Sequence, residues 1–119
     1  MNSGAIQAKS FAFAIRIVRL YKYLCAEKKE YVLSKQLLRS GTAIGALVRE
    51  AEQAESKTDF IHKLAIALKE ANETEYWLLL MRETAFLETA AFESIHQDAV
   101  ELLKLLTSII KTSKKAMDN

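Results

Sequence analysis

Proline is absent from these 119 residues, glycine occurs three times and cysteine once. Without proline and with so little glycine, the chain lacks the residues that shape hairpins and sandwich corners, which argues against a β-rich fold and for an all-α one. A single cysteine cannot form an intramolecular disulfide, so a disulfide-stapled secreted scaffold is excluded. Cys25, set among Tyr21, Leu24 and Ala26, reads as a buried structural thiol in a reducing, cytoplasmic setting. Long apolar runs are missing as well. The most apolar N-terminal stretch, Phe11 to Leu24, is interrupted by Arg16, Arg19 and Lys22 and never approaches the roughly 18 apolar residues of a membrane span, so neither a signal peptide nor a transmembrane helix is expected.

What is present suits one helical domain over residues 1–119, with half of the side chains apolar and 27% charged. The net charge of +2 is too small to diagnose a nucleic-acid partner, but it is unevenly spread: residues 1–49 carry +7, residues 50–101 carry −8 and residues 102–119 carry +3. The basic charge belongs to both ends of the chain.

Apolar periodicity predicts an up-down-up-down antiparallel four-helix bundle. From about Ala5 to Ala26, Phe11, Ile15, Val18, Tyr21 and Cys25 form one row at three- and four-residue intervals, and Phe13, Ile17, Leu20 and Leu24 form a second. A helix in a small bundle needs one apolar stripe about 100° wide, so the second row predicts contact with another subunit. The next helix starts near Tyr31 to Leu33, keeps Leu33, Leu37, Ile44, Val48 and Ala51 on its core side and ends around Glu55. Ser56 with Asp59 three residues on marks a helix N-terminus, and Phe60, Leu64, Ala67, Ala71, Leu78 and Met81 continue as the core row up to Phe86. A fourth helix carries Phe92, Ile95, Ala99, Leu102, Leu103, Leu106 and Ile110 and closes on Lys111, Lys114 and Lys115, where cations suit the dipole. Helices of about 22 to 28 residues are roughly 33 to 42 Å long, and short connections make neighbours antiparallel.

No catalytic signature, cofactor site or metal site is expected. Glu93-Ser94-Ile95-His96 and Asp59-Phe60-Ile61-His62 have the i, i+3 spacing of di-iron bundles, yet each lies in the first turns of its own helix. In antiparallel neighbours that separates them by on the order of 30 Å, so they read as capping carboxylates and surface histidines. Gly41-Thr42-Ala43-Ile44-Gly45 lacks the Lys-Ser/Thr of a phosphate loop and follows no strand. Cys25 and the serines have no histidine and acid at a spacing that would build a triad. Glu50, Glu52 and Glu55, then Glu70, Glu73 and Glu75, form two acidic clusters that could face one another, in which case a divalent ion is conceivable, although solvated faces are the simpler reading.

Two basic rows remain as candidate nucleic-acid contacts: Lys9, Arg16, Arg19 and Lys22 with Tyr23 on the first helix, and Lys104, Lys111 and Lys115 on the fourth. Lysines and arginines can track phosphates and a tyrosine can stack on a base. In Ser40-Gly41-Thr42-Ala43-Ile44-Gly45-Ala46 the two glycines fall on one helix face. With Ser40 and Ala46 they predict a seam where a neighbouring helix comes close.

The stretch QLLRSGTAIGALVREAEQAESKTDFIHKLAIALKEANETEYWLLLM resembles the signature of the four-helix-bundle proteins encoded in intervening sequences of bacterial 23S rRNA genes. The likeness covers nearly the whole chain and is strongest from Gln36 to Leu87, through Arg39, Ser40, Gly41, Ile44, Gly45, Ala46, Arg49, Glu50 and Ala51, the Glu55-Ser56-Lys57 step and Phe60 to Leu68. Ala43 stands where the family usually has serine and Leu47 where it usually has asparagine. The resemblance implies a ring-shaped homopentamer without established enzymatic activity, related to the accessory variability determinant of diversity-generating retroelements. That relationship implies RNA or DNA and a reverse transcriptase as partners, while the lack of an apolar span leaves no membrane partner expected.

Overall fold

The computed structural model describes residues 3–118, which form four helices: α1 Ser3–Ala26, α2 Leu33–Glu52, α3 Lys57–Glu83 and α4 Thr89–Asp118. Cross-helix pairs set the directions. Ser40 meets Thr74 and Glu50 meets Lys63, so α2 and α3 are antiparallel; Glu75 meets His96, so α3 and α4 are too. Lys9 meets Glu101 while Arg16 meets Asp98, which closes α1 against α4. The result is the expected up-down-up-down bundle, 51 × 21 × 20 Å.

Of the two apolar rows of α1, the one containing Phe13, Ile17 and Leu24 is buried, with Leu20 packed against it. It meets Leu37, Ile44 and Val48 of α2, Leu64, Leu78 and Met81 of α3 and Leu102 and Leu106 of α4 in a continuous core. The small-residue seam of α2 lies against α1. A Cβ on Gly41 would stand 2.7 Å from Ile17 Cγ1, and one on Gly45 would stand 3.3 Å from the Ser10 carbonyl oxygen, so the glycines permit this helix approach. Ser40 points the other way and its hydroxyl lies 3.0 Å from the buried Thr74 hydroxyl on α3, while Ala46 is exposed. Leu47 packs on the core. No buried side-chain nitrogen or oxygen among the described residues lacks a hydrogen-bond partner.

Helix ends follow local chemistry, with two departures from expectation. Ser56 caps α3 as expected, its hydroxyl accepting from the Asp59 N–H at 3.0 Å. α2 stops at Glu52 rather than Glu55 because Gln53 already leaves helical geometry. α3 stops at Glu83 rather than Phe86: Ala85 turns to φ 65°, and the Phe86 and Leu87 N–H groups fold back onto the Met81 carbonyl. Lys29, at φ 53°, plays the same part after α1, where the Glu30 N–H reaches the Leu24 carbonyl. In both turns a non-glycine residue holds the left-handed position. The start of α2 has no capping side chain at Val32; instead the Glu30 carboxylate accepts from the N–H groups of Val32, Leu33 and Ser34 at 3.0, 3.0 and 2.6 Å. Partial burial opposes ionisation of Glu30, but these donors outweigh it and hold the carboxyl below its ordinary range.

Candidate functional site

The basic residues singled out in the sequence fall into three groups. Lys9 and Arg16 turn towards α4. Lys9 Nζ is 3.1 Å from Glu101 Oε2, and Arg16 donates to Asp98 Oδ2 at 2.6 Å, Ser94 Oγ at 2.9 Å and the Ser94 carbonyl at 3.2 Å. Both cations therefore tie the α1–α4 seam rather than stand free. Arg19, Lys22 and Tyr23 are exposed near the C-terminal end of α1, and Lys104, Lys111 and Lys115 make one exposed stripe along α4. None of these five cations has an ion-pair partner among the described residues.

The structure does not join the two free groups. Because α1 and α4 are antiparallel with Arg16 opposite Ser94 and Asp98, Lys22 is level with the start of α4. Lys104 to Lys115 then lie on the order of 20 to 40 Å away at 1.5 Å per residue. One subunit thus offers two separate basic areas.

The α1–α2 corner enlarges the first of these areas with residues that periodicity did not pick out. Lys28, Lys29 and Lys35 are exposed there, with Tyr31 57% and Val32 72% exposed and Tyr23 close in sequence at 43%. Glu30, the carboxylate in their midst, is occupied by the α2 N-terminus. The signal available in the sequence is an aromatic between lysines, Lys28 and Lys29 before Tyr31 and Lys35 after it.

Arg19 and Arg16 also border a shallow groove of about 360 Å³ with Leu20, Leu87, Ala91 and Ile95. A second groove, about 270 Å³, runs between α1 and α2 and is lined by Phe11, Ala14, Gly45, Ala46 and Arg49 among others. Its rim is the outward row of α1, where Phe11 is 61% and Ile15 38% exposed. This is the apolar face that the core does not use.

The histidines separate as expected but differ in kind. Asp59 and His62 lie at the start of α3, Glu93 and His96 at the start of α4, hence at opposite ends of the bundle. His62 is exposed, whereas His96, read from sequence as a surface residue, is half-buried: its Nε2 lies 2.8 Å from Glu75 Oε2 and its ring stacks on Phe92 at 4.7 Å. Arg82 covers Phe92 at 4.4 Å from the ring centroid. The two acidic clusters do not face one another. Glu50 is opposite Lys63 at 3.5 Å, Glu75 is turned to His96, and Glu73 accepts from Trp77 Nε1 at 3.0 Å. Among the described residues no group of three or more histidine, cysteine or carboxylate side chains is placed to hold a metal ion. Cys25 is half-buried, its sulfur 3.9 Å from Ser34 Oγ. No helix is long and apolar enough to cross a membrane among these residues.

Comparison with known proteins places this arrangement. A solved crystal structure of a protein with unknown function from the S23 ribosomal protein family of Bacteroides thetaiotaomicron is similar at a TM-score of 0.91 and 59% identity, over 93% of this chain and 99% of that one. No curated protein matches the chain. The family model described as 23S rRNA-intervening sequence protein matches residues 4–108, nearly the whole bundle, and the chain belongs to that family.

Proposed function

We propose that the chain is a non-catalytic, cytoplasmic homo-oligomer, a ring of five subunits, whose repeated basic areas bind RNA or DNA or dock an enzyme that works on nucleic acid, such as a reverse transcriptase. The observation that carries this reading is α1 itself: 24 residues with an outward apolar row beside four cations and no carboxylate. The apolar row favours association, and association would repeat the Lys22–Tyr31–Lys35 corner and the Lys104–Lys115 stripe around an axis. The family's link to 23S rRNA genes favours a nucleic-acid partner.

Light scattering at micromolar concentration tests the oligomer, with a five-subunit mass expected and a monomer mass overturning it. Binding to a structured RNA should weaken steeply as salt rises. Replacing Lys104, Lys111 and Lys115 with alanine should reduce the slope of log K against log salt by about 2 to 3, at roughly 0.7 to 0.9 per phosphate contact. Absence of binding at low salt removes the nucleic-acid part. A protein-interaction scaffold without nucleic acid is the second reading, and the use of Lys9 and Arg16 in ion pairs with α4 favours it, because two of the four α1 cations are already spent within the subunit.

A further inference from the structure

Four aromatic rings stand exposed among the described residues: Phe11 at 61%, Tyr31 at 57%, Tyr76 at 56% and Tyr23 at 43%. Their surroundings separate them. Within four positions of Phe11 the one cation is Lys9, which Glu101 engages, and within four of Tyr76 there are two glutamates and no cation. Tyr31 lies among Lys28, Lys29 and Lys35, and Tyr23 beside Arg19 and Lys22; all five cations lack an ion-pair partner among the described residues. Both tyrosines belong to the same end of the bundle, Tyr23 in the last turn of α1 and Tyr31 in the connection to α2. The stripe from Lys104 to Lys115, by contrast, contains no aromatic residue.

Hydrogen bonds fix the backbone on both sides of Tyr31. Ahead of it, the Lys28 and Glu30 N–H groups both reach the Leu24 carbonyl, at 3.2 and 3.1 Å, and Lys29 Nζ donates to the Ala26 carbonyl at 2.8 Å. Behind it, the Glu30 carboxylate accepts from the N–H groups of Val32, Leu33 and Ser34, and the Ser34 hydroxyl donates to the Glu30 carbonyl at 2.8 Å. No hydrogen bond or ring contact among the described residues engages the Tyr31 ring itself, and its neighbour Val32 is 72% exposed. A ring with two side-chain torsions on a fixed turn is a flat surface that costs little to order on binding. The same bonds shape the local field. Glu30 is set against the positive end of α2, which leaves Glu27 as the one carboxylate in the connection free to oppose the lysines.

We propose that the α1–α2 corner takes unpaired nucleotides, with a base stacked on the Tyr31 ring and the neighbouring phosphates met by Lys28 and Lys35. Resting on the reading of the chain as a nucleic-acid binder, this assignment separates the two basic areas by the form of nucleic acid each accepts. Cations alone attract any phosphate backbone, whereas a base offers its face to a protein ring only where it is not already stacked between neighbours in a duplex. An acidic peptide would satisfy the lysines and leave the ring unused. The corner therefore selects single strands and loops, while the Lys104–Lys115 stripe, which has cations and no ring, holds single strand and duplex alike through their phosphates.

Fluorescence anisotropy tests it with a labelled oligothymidine, the duplex of that strand with oligoadenosine, and polyglutamate of equal charge as competitor. Tyr31→Ala should lower single-strand affinity about tenfold and leave duplex affinity unchanged. Tyr31→Phe keeps the ring and should bind both forms as the wild type does. Lys28→Ala with Lys35→Ala should lower the slope of log K against log salt for the single strand by about 1.4, at roughly 0.7 per phosphate contact. Unchanged melting by circular dichroism is expected for every variant, since these side chains are exposed. Equal losses for single strand and duplex, or a Tyr31→Phe protein as weak as Tyr31→Ala, would overturn the stacking. So would polyglutamate that displaces the strand as readily as unlabelled oligothymidine, because charge alone would then explain the binding. A silent Tyr31→Ala beside weakened binding on replacing Lys104, Lys111 and Lys115 overturns the corner site and leaves the nucleic-acid reading standing, whereas a wild type that binds neither form at low salt removes both.

Discussion

Gly41→Ala tests the close approach of α1 and α2 with a single methyl group. The added Cβ would stand 2.7 Å from Cγ1 and 2.9 Å from Cγ2 of Ile17. Both atoms branch from the Cβ of a fully buried side chain whose χ1 is restricted in a helix, so neither can swing clear. Either the helices part or Ile17 leaves its rotamer. Overpacking of this kind costs about 1–3 kcal/mol, and the better helix propensity of alanine offsets about 1 kcal/mol of it. The expected net loss is about 1–2 kcal/mol, a fall in melting temperature of roughly 3–8 °C for a domain of this size. Gly45→Ala is the control: its Cβ would sit 3.3 Å from a carbonyl oxygen, a shift of a few tenths of an ångström relieves it, and the propensity gain leaves stability nearly unchanged. Thermal and urea denaturation by circular dichroism, at one protein concentration so that association does not enter the comparison, measures both. The cycle with Ile17→Ala locates the cause. That change alone costs about 2–5 kcal/mol, but it removes both γ carbons, so Gly41→Ala in its background should become neutral or favourable, a coupling of about 2 kcal/mol. An additive cycle, or a Gly41→Ala protein as stable as the wild type, refutes the reasoning.

Replacing either glycine by leucine leaves no such tolerance, and both Gly41→Leu and Gly45→Leu should damage folding or assembly; unchanged melting and mass in both would contradict the seam. Ala85→Gly and Lys29→Gly should each stabilise by about 0.5–1 kcal/mol, because relief of the left-handed strain exceeds the added flexibility of the unfolded chain; a lower melting temperature for either counts against that balance. Glu30 makes stability acid-sensitive. Its folded carboxyl titrates below the unfolded one, so its contribution is fully present above the ordinary glutamate range and is lost as pH falls through the folded value; Glu30→Gln should flatten that part of the stability-against-pH curve and lower stability at pH 7. Ser56→Ala should cost about 1 kcal/mol through loss of the α3 cap, read as a lower urea midpoint with an unchanged m-value.

The four helices were legible because periodicity and caps are local. Ser56 and Asp59 announce α3, and the row from Phe60 to Met81 keeps its period for 22 residues. The ends of α1 and α3 were harder, since each terminates on a left-handed residue, and nothing about Lys29 or Ala85 advertises a position that glycine usually fills. Both apolar rows of α1 could be seen, but their roles depend on what lies opposite. Gly41 accepts Ile17 from one row, while Phe11 and Ile15 of the other stay outside the buried core, 61% and 38% exposed.

Charge was the least legible property, and the reason is topological. Lys9, Arg16, Arg19 and Lys22 share a side of α1 by spacing, yet the carboxylates that engage the first two lie more than 80 positions away in sequence and reach them only because α4 returns antiparallel beside α1. His96 is drawn from the surface by Glu75 through the same kind of register. A cation's local pattern therefore says where it points, and the fold decides whether it is still available. In α1 the cations on the α4 side are consumed, while Lys22 remains on the outward apolar stripe with Phe11, Ile15 and Val18. The outward face of α1 is thus apolar with one free positive end, a character that neither the helix composition nor the net charge of +2 contains.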